Sequence, residues 1–150
     1  SGAGTAFCSG TDLQEIQDSS RDDDAWAQWH GDAVLYKDLL HKMLLFPKPI
    51  IAAVNGPAVG NGAGLVLASD VVIGAMSASF GLPEPQRGLV AGLVAPLLAF
   101  RIGGGVAANL LLTARCIEGA GPASPADLLR RHALLGGVLA LRRTDVEVTT

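Results

Sequence analysis

The sequence contains a glycine-rich corner whose backbone is suited to binding a negatively charged oxygen. Gly60, Gly62 and Gly64 alternate with Asn61 and Ala63, between an aliphatic run and a helix-like segment. Glycine has no Cβ atom, so a ligand can approach this backbone closely. The N–H groups at the start of a helix have no partner within that helix and carry a partial positive charge. The corner therefore predicts a binding site for an oxyanion.

A single glutamate is placed to act as a base. Among the glutamates of the sequence, only Glu84 lies between two prolines, Pro83 and Pro85. Both prolines restrict the backbone, so we expect the carboxylate to be held in a fixed position, as a proton-transfer group must be. The alternative is a structural ion pair between Glu84 and Arg87.

Two short apolar runs frame the glycine corner. Residues 50–54 and residues 71–73 have the aliphatic composition of strands buried on both faces. The helix-like segment between them, residues 65–68, predicts a βαβ unit with parallel strands. In the alternative interpretation, the glycines serve only to let strand and helix pack closely.

The segment before the first long helix combines a strand end with a polar loop. Residues 5–9 are typical of the end of a strand, and Thr11 or Asp12 is predicted to cap a short helix that runs through Ile16. Residues 18–24 are polar and acidic and predict a solvated loop.

The remaining elements are predicted to be helical. Apolar residues repeat at spacings of three and four from Trp26 to about Phe46, which indicates an amphipathic helix with an aromatic stripe packed in the core. Further helices are predicted over residues 88–100, 106–113 and 128–141.

Composition and charge exclude several classes of protein. Hydrophobic residues make up 49% of the chain, enough for one domain with a core over residues 1–150, and the formal net charge of −3 argues against a nucleic-acid surface. Neither a signal peptide nor an apolar run of membrane-spanning length is visible. With two isolated cysteines, Cys8 and Cys116, these features predict a cytoplasmic protein with neither nucleic acid nor membrane as a partner.

No cofactor or metal is predicted. The sequence has no zinc-ligand spacing. Residues 103–108 fit the loose dinucleotide pattern G-x-G-x-x-A, but they follow a segment that is predicted to be helical, whereas a dinucleotide site needs a strand there.

Two separate motifs, together with a third segment, resemble the crotonase superfamily, the enoyl-CoA hydratase/isomerase family. Residues 4–13 read G-T-A-F-C-S-G-T-D-L, residues 48–92 include F-G-L-P-E, and residues 102–119 resemble the family's third conserved segment. The resemblance implies an α/β fold of repeated ββα units, present here as a partial domain. That partial domain would lack the family's first strands and parts of its C-terminal helical region. It also implies an acyl-CoA thioester as substrate, with CoA as part of the substrate, and assembly as a homotrimer or hexamer.

The resemblance also implies roles for individual residues. The N–H groups of Ser9 and Asn61 would form an oxyanion hole for the thioester oxygen, and Glu84 would be the catalytic base. The remaining residues that match the motifs are expected to bind substrate: Phe7, Gly10, Asp12, Leu13, Gly60, Gly62 and Gly64.

The sequence departs from two-glutamate hydratases at Gly64, where those relatives carry their second acid. Hydration needs water activated between two acids, whereas moving a double bond can use one. The pattern thus favours isomerisation of 3-enoyl-CoA to 2-enoyl-CoA, and we expect an acid introduced at Gly64 to project toward Glu84. The alternatives are hydration, thioester hydrolysis, decarboxylation, or a non-catalytic acyl-CoA-binding relative.

Overall fold

The computed structural model describes residues 1–118 and a strand at residues 138–140. Its helices and strands, in chain order, are α1 (Leu13–Ser19), α2 (Ala25–Leu44), β1 (Ile51–Val54), β2 (Pro57–Val59), α3 (Asn61–Leu67), β3 (Val71–Gly74), β4 (Ser79–Gly81), α4 (Ala95–Ile102), α5 (Gly104–Thr113), β5 (Cys116–Glu118) and β6 (Val138–Ala140). A 3-10 turn, Glu84–Arg87, lies between β4 and α4.

The strands form two sheets, and the chain crosses from one to the other within each repeat. One sheet has the order β1-β3-β6 and the other β2-β4-β5. β1 runs parallel to β3, and β2 runs parallel to β4. The chain therefore makes two successive strand–strand–helix units, β1-β2-α3 and β3-β4-α4. This confirms the repeated ββα architecture and the parallel pairing of the two apolar runs.

Burial of β1 differs from the prediction. Ala52 and Val54 are buried in the core with Leu67 and Leu98, but Ile51 is 59% exposed. β1 therefore has one buried face and one exposed face, and the prediction that this strand is buried on both faces is wrong. Apolar composition reports that a strand is suited to burial, but only packing decides how many faces are covered.

Three helices also begin or end at residues other than those predicted. α3 begins at Asn61 and not at Leu65, because the chain turns sharply at Gly60, whose φ of 58° favours glycine. α1 continues to Ser19, so part of the predicted acidic loop is helical. α4 begins only at Ala95, with a proline in its first turn, as the missing N–H of proline allows.

The long helix α2 is confirmed, but its stripe is only partly in the core. Leu40 is buried, Tyr36 is half-buried, and Trp26 is 79% exposed. The prediction that the whole stripe packs in the core is therefore wrong. The periodicity defines an apolar face of the helix, whereas the neighbours that cover this face are set by the tertiary structure.

The predicted helix over residues 128–141 is wrong at its C-terminal end, because residues 138–140 form β6 and pair with β3. Residues 128–137 and 141 lie outside the described residues. None of the helices in the described part has the combination of length and apolar character that crossing a bilayer requires.

Candidate active site

A cleft of about 950 Å³ opens between the loop after Cys8, the start of α3 and the turn that carries Glu84. Much of its far wall is the apolar segment of residues 89–94, and α2 contributes Ala33. Seven of the residues predicted for the site line this cleft: Ser9, Gly10, Asp12, Leu13, Gly60, Asn61 and Glu84.

Backbone pairing brings the first motif against the second. Cys8 forms a parallel bridge with Ala58 of β2, and the Val59 N–H donates to the Cys8 carbonyl at 3.0 Å. At the end of this bridge Gly10, with φ 88°, lies so close that a Cβ atom there would be 3.2 Å from the Asn61 nitrogen. The two loops can therefore meet only where glycine removes the side chain.

The two predicted oxyanion donors are free to bind a ligand. Neighbouring amides are engaged: Cys8 N–H donates to the Pro57 carbonyl and Gly60 N–H donates to the Gly81 carbonyl. The N–H groups of Ser9 and Asn61 have no acceptor within the part of the chain that the structure describes. Both residues line the same cleft, and an N–H group without an acceptor can donate to the oxygen of a polarised carbonyl.

The Asn61 side chain connects the start of α3 to the loop that follows Cys8. Its Nδ2 donates to the Thr11 hydroxyl oxygen at 2.8 Å. The amide thus lies against the first loop, and the backbone N–H of Asn61 remains available to the cleft.

The two carboxyl oxygens of Glu84 have different surroundings. Its Oε1 lies beside Gly60, where a Cβ atom would approach to 3.2 Å. Its Oε2 is buried and has no hydrogen-bond partner among the described residues. Burying a polar oxygen without a hydrogen-bond partner is costly, and such groups in folded proteins call for a functional explanation.

The alternative role for Glu84, an ion pair with Arg87, is not observed. Arg87 is exposed, and within residues 1–118 the salt bridge present joins Lys37 to Asp38. Nothing in the described structure neutralises the Glu84 carboxylate.

Asp12 is occupied by a structural role. Its Oδ1 accepts the N–H of Gln14 at 2.8 Å and the N–H of Glu15 at 3.4 Å, capping α1. Thr11 and Asp12 were the two predicted caps of this helix, and the structure shows that Asp12 is the cap. Asp12 also lines the cleft, and one of its two carboxylate oxygens caps the helix.

Three predicted site residues do not line the cleft. Phe7 is half-buried against the core. A Cβ atom at Gly62 would collide with the Cys8 carbonyl oxygen, so this glycine serves close packing, as the alternative interpretation of the corner proposed. Gly64 is buried, and a Cβ atom there would collide with the Tyr36 hydroxyl and come within 3.0 Å of Val94.

The expectation that a side chain at Gly64 would project toward Glu84 stays a prediction, but the structure leaves no room for that side chain, because the Tyr36 hydroxyl occupies the space that its Cβ atom would need. Burial, and then the nearby charges of Cys8 and Glu84, raise the pKa of Tyr36 far above its usual range. Sequence analysis missed Tyr36 as a site residue and placed it in the core stripe. Its position in that stripe, three residues after the cleft residue Ala33, is the only signal in the sequence.

In the described part of the chain, no three histidine, cysteine, aspartate or glutamate side chains are close enough to hold a metal ion. Residues 103–108 lie at the start of α5 and follow the helix α4, so the segment before the glycines is helical, as predicted.

Comparisons with known proteins identify the family and several relatives. The sequence profile of the family described as enoyl-CoA hydratase/isomerase matches residues 1–124. A putative enoyl-CoA hydratase of Thermus thermophilus is 38% identical over 92% of this chain. A 1,2-epoxyphenylacetyl-CoA isomerase of Escherichia coli is 41% identical over 59% of it.

A solved structure shares the fold. An enoyl-CoA hydratase from Bacillus anthracis superposes with a TM-score of 0.76 at 32% identity, over 93% of this chain. The present chain covers 53% of the Thermus relative, 34% of the Escherichia relative and 50% of the Bacillus structure, so it spans about half the length of such proteins or less.

Proposed function

Since the chain belongs to the enoyl-CoA hydratase/isomerase family, we propose that its cleft binds the acyl part of a CoA thioester and supports chemistry through an enolate. The thioester oxygen is held by the N–H groups of Ser9 and Asn61. The buried, unpartnered Oε2 of Glu84 is the observation that carries the proposal.

The proposed reaction begins with proton transfer from carbon to Glu84. The carboxylate takes a proton from the carbon next to the thioester, and the electron pair of that C–H bond moves toward the thioester oxygen. Each of the two N–H donors is worth about 2.7–4 kcal/mol of transition-state stabilisation in comparable oxyanion holes. The proton then returns at the far end of the conjugated system, which moves the double bond and restores Glu84.

The acids around the cleft favour isomerisation over hydration. Asp12 and Glu84 are the carboxylates among the described lining residues, and the Oδ1 of Asp12 caps α1. Tyr36 fills the space at Gly64. One free acid suffices for a proton shuttle, so we propose 3-enoyl-CoA to 2-enoyl-CoA isomerisation as the reaction.

Hydration of 2-enoyl-CoA is the second candidate, and one observation favours it. The Thermus relative, which matches 92% of this chain, is described as a putative enoyl-CoA hydratase. A hydratase would have to activate water with Glu84 and a second group.

Product analysis separates the two reactions. The whole protein is incubated with 3-enoyl-CoA and with 2-enoyl-CoA, and the products are identified by mass spectrometry and chromatography. We expect 2-enoyl-CoA from the first substrate and little 3-hydroxyacyl-CoA from the second. Rapid formation of 3-hydroxyacyl-CoA would contradict the one-acid mechanism. Glu15→Gln, at an exposed glutamate of α1, is the matched control for Glu84→Gln.

We also propose that the protein assembles as a homotrimer, or as a hexamer made of two such trimers. Apolar side chains at the end of α2 and on β1 are exposed in the single chain, including Leu45, Phe46 and Ile51. Exposed apolar patches of this kind mark interaction surfaces. Sedimentation equilibrium of the whole protein tests this, and a monomer at micromolar concentration would contradict it.

A further inference from the structure

Tyr36 connects α2 to the oxyanion corner. Its hydroxyl donates a hydrogen bond to the carbonyl oxygen of Asn61, the first residue of α3. Within the described part of the chain, the other side-chain hydrogen bond from α2 to a different element joins the Trp29 indole N–H to the Ser19 hydroxyl at 3.0 Å. That second bond lies two turns earlier on α2 and connects it to α1.

The same hydroxyl packs against Gly64. The space that a Cβ atom would need at Gly64 is occupied by the Tyr36 oxygen, and the Tyr36 ring carbon next to it lies 3.2 Å from that position. Val94, a buried residue that also lines the cleft, closes the remaining side at 3.0 Å. The hydroxyl is therefore confined by shape as well as by its hydrogen bond.

Asn61 is fixed at two points. Tyr36 holds its backbone carbonyl, and Thr11 holds its side-chain amide. The first turn of a helix lacks the full set of backbone hydrogen bonds that keep interior turns rigid, so outside contacts decide how its N–H groups are aimed. The Tyr36 contact also sets the position of Ala33, one turn earlier on α2 and part of the cleft wall.

We propose that Tyr36 is a positioning residue for the oxyanion hole: its hydroxyl holds the first turn of α3 so that the Asn61 N–H is aimed into the cleft. This inference rests on the proposed function of the cleft. Tyr36 acts through Asn61 and is not required to touch the substrate. The hydroxyl holds the corner in the bound and unbound states alike, so its loss affects turnover more than binding.

Tyr36→Phe tests the proposal with a matched control, Trp29→Phe, which removes the other α2 hydrogen bond. A net hydrogen bond of ordinary strength corresponds to a rate change of about threefold to tenfold. We expect kcat of Tyr36→Phe to fall by that factor with KM nearly unchanged, and kcat of Trp29→Phe to stay at the wild-type value. An unchanged kcat in Tyr36→Phe, or an equal fall in both variants, would overturn the proposal.

Amide hydrogen exchange provides a readout that does not depend on activity. In Tyr36→Phe, exchange at residues 61–64 is expected to be faster than in wild type, and in Trp29→Phe it should be unchanged there. Equal exchange in wild type and Tyr36→Phe would overturn the proposed role even if turnover fell. A wild-type protein without acyl-CoA turnover would instead contradict the proposed function, while the exchange comparison would still decide whether Tyr36 orders the corner.

Discussion

Glu84 is the residue on which the proposed chemistry depends. Its Oε2 is buried without a partner in the described structure, and Arg87 does not pair with it. Groups placed at such cost are typical of catalytic sites. Stability and activity should therefore respond differently when this residue is changed.

For Glu84→Gln, we expect turnover of 3-enoyl-CoA to fall at least about a hundredfold, since general-base catalysis contributes 10²–10⁴ in rate. The amide keeps the shape, so acyl-CoA affinity and melting temperature should stay close to wild type. Steady-state kinetics, calorimetric binding and thermal unfolding measure the three quantities. Turnover within a factor of three of wild type would show that Glu84 is not the base.

Gly64 and Tyr36 should behave as a coupled pair. Gly64→Ala places a methyl group where the Tyr36 hydroxyl lies, and overpacking of this kind costs about 1–3 kcal/mol. In a Tyr36→Phe background the hydroxyl is gone, so we expect the same substitution to cost clearly less. Urea unfolding of the four proteins gives the coupling free energy.

Additive effects in this cycle would mean that the hydroxyl does not occupy the space at Gly64. The contrast with Gly92→Ala provides the control, because a Cβ atom at Gly92 meets no neighbour within 4 Å. That substitution should cost the same in both backgrounds.

The candidate site residues that belong to local motifs could be predicted from the sequence, whereas the proposed positioning residue, which makes a contact between distant segments, was missed. Ser9, Asn61 and Glu84 belong to short motifs whose backbone geometry follows from glycine and proline. Tyr36 lies 25 residues before Asn61, and its contact depends on how α2 packs against α3. Periodicity places Tyr36 on the apolar face of a helix but does not indicate which neighbour that face meets.

At the scale of elements, the start of α3 is the feature that organises the site. Gly60 has φ 58° and ψ −127°, a conformation in which residues other than glycine are strained by about 1–3 kcal/mol. This turn ends β2, begins α3 and places the Asn61 N–H beside the loop of Ser9 and Gly10.

Gly60→Ala is predicted to lower both stability and turnover. The backbone strain should reduce the free energy of unfolding by about 1–3 kcal/mol, and the new methyl group, 3.2 Å from the Glu84 Oε1, should displace the base. Gly103→Ala is the matched control: Gly103 also has positive φ, at 80°, but a Cβ atom there has no neighbour within 4 Å.

We expect Gly103→Ala to lose stability with normal turnover, as measured by urea unfolding and initial rates. If Gly60→Ala kept wild-type turnover, the packing of Glu84 against this glycine would not matter for catalysis.

Elements were predicted best where capping chemistry fixes them. Asp12 caps α1 as expected, because an aspartate before an apolar run satisfies free N–H groups. The start of α4 was placed too early, since residues 88–94 are apolar without being helical. Residues 89–94 line the cleft, and a position of this kind in the tertiary structure cannot be predicted from local sequence.

At the scale of the whole molecule, the single tyrosine offers a direct probe of folding around the site. Tyr36 is the only tyrosine of the chain, and burial raises its pKa above the ordinary value of 10.0. The unfolded chain therefore releases this proton first. Stability contributed by the neutral phenol is complete below about pH 10 and is lost as pH rises toward the folded pKa.

We expect the free energy of unfolding of wild type to fall more steeply above pH 10 than that of Tyr36→Phe. Tyrosinate absorbance should accompany unfolding in an alkaline titration, and should develop near pH 10 in denaturant. Tyrosinate formation near pH 10 in the folded protein would contradict the burial of this hydroxyl.

The overall architecture followed from the family resemblance more than from local patterns. The ββα repeat is confirmed, whereas composition alone indicated only a βαβ unit. Local sequence reports strand and helix tendencies, but the crossing of the chain from one sheet to the other after β1 and β3 is a property of long-range pairing.

Deuterium incorporation into a saturated acyl-CoA tests the proposed chemistry most directly. The whole protein is incubated with the thioester in D₂O, and exchange at the carbon next to the thioester is followed by mass spectrometry, with Glu15→Gln as control. We predict that wild type and Glu15→Gln incorporate deuterium and that Glu84→Gln does so at least about a hundredfold more slowly. No incorporation by wild type, or equal incorporation by Glu84→Gln, would contradict an enolate formed by Glu84 in this cleft.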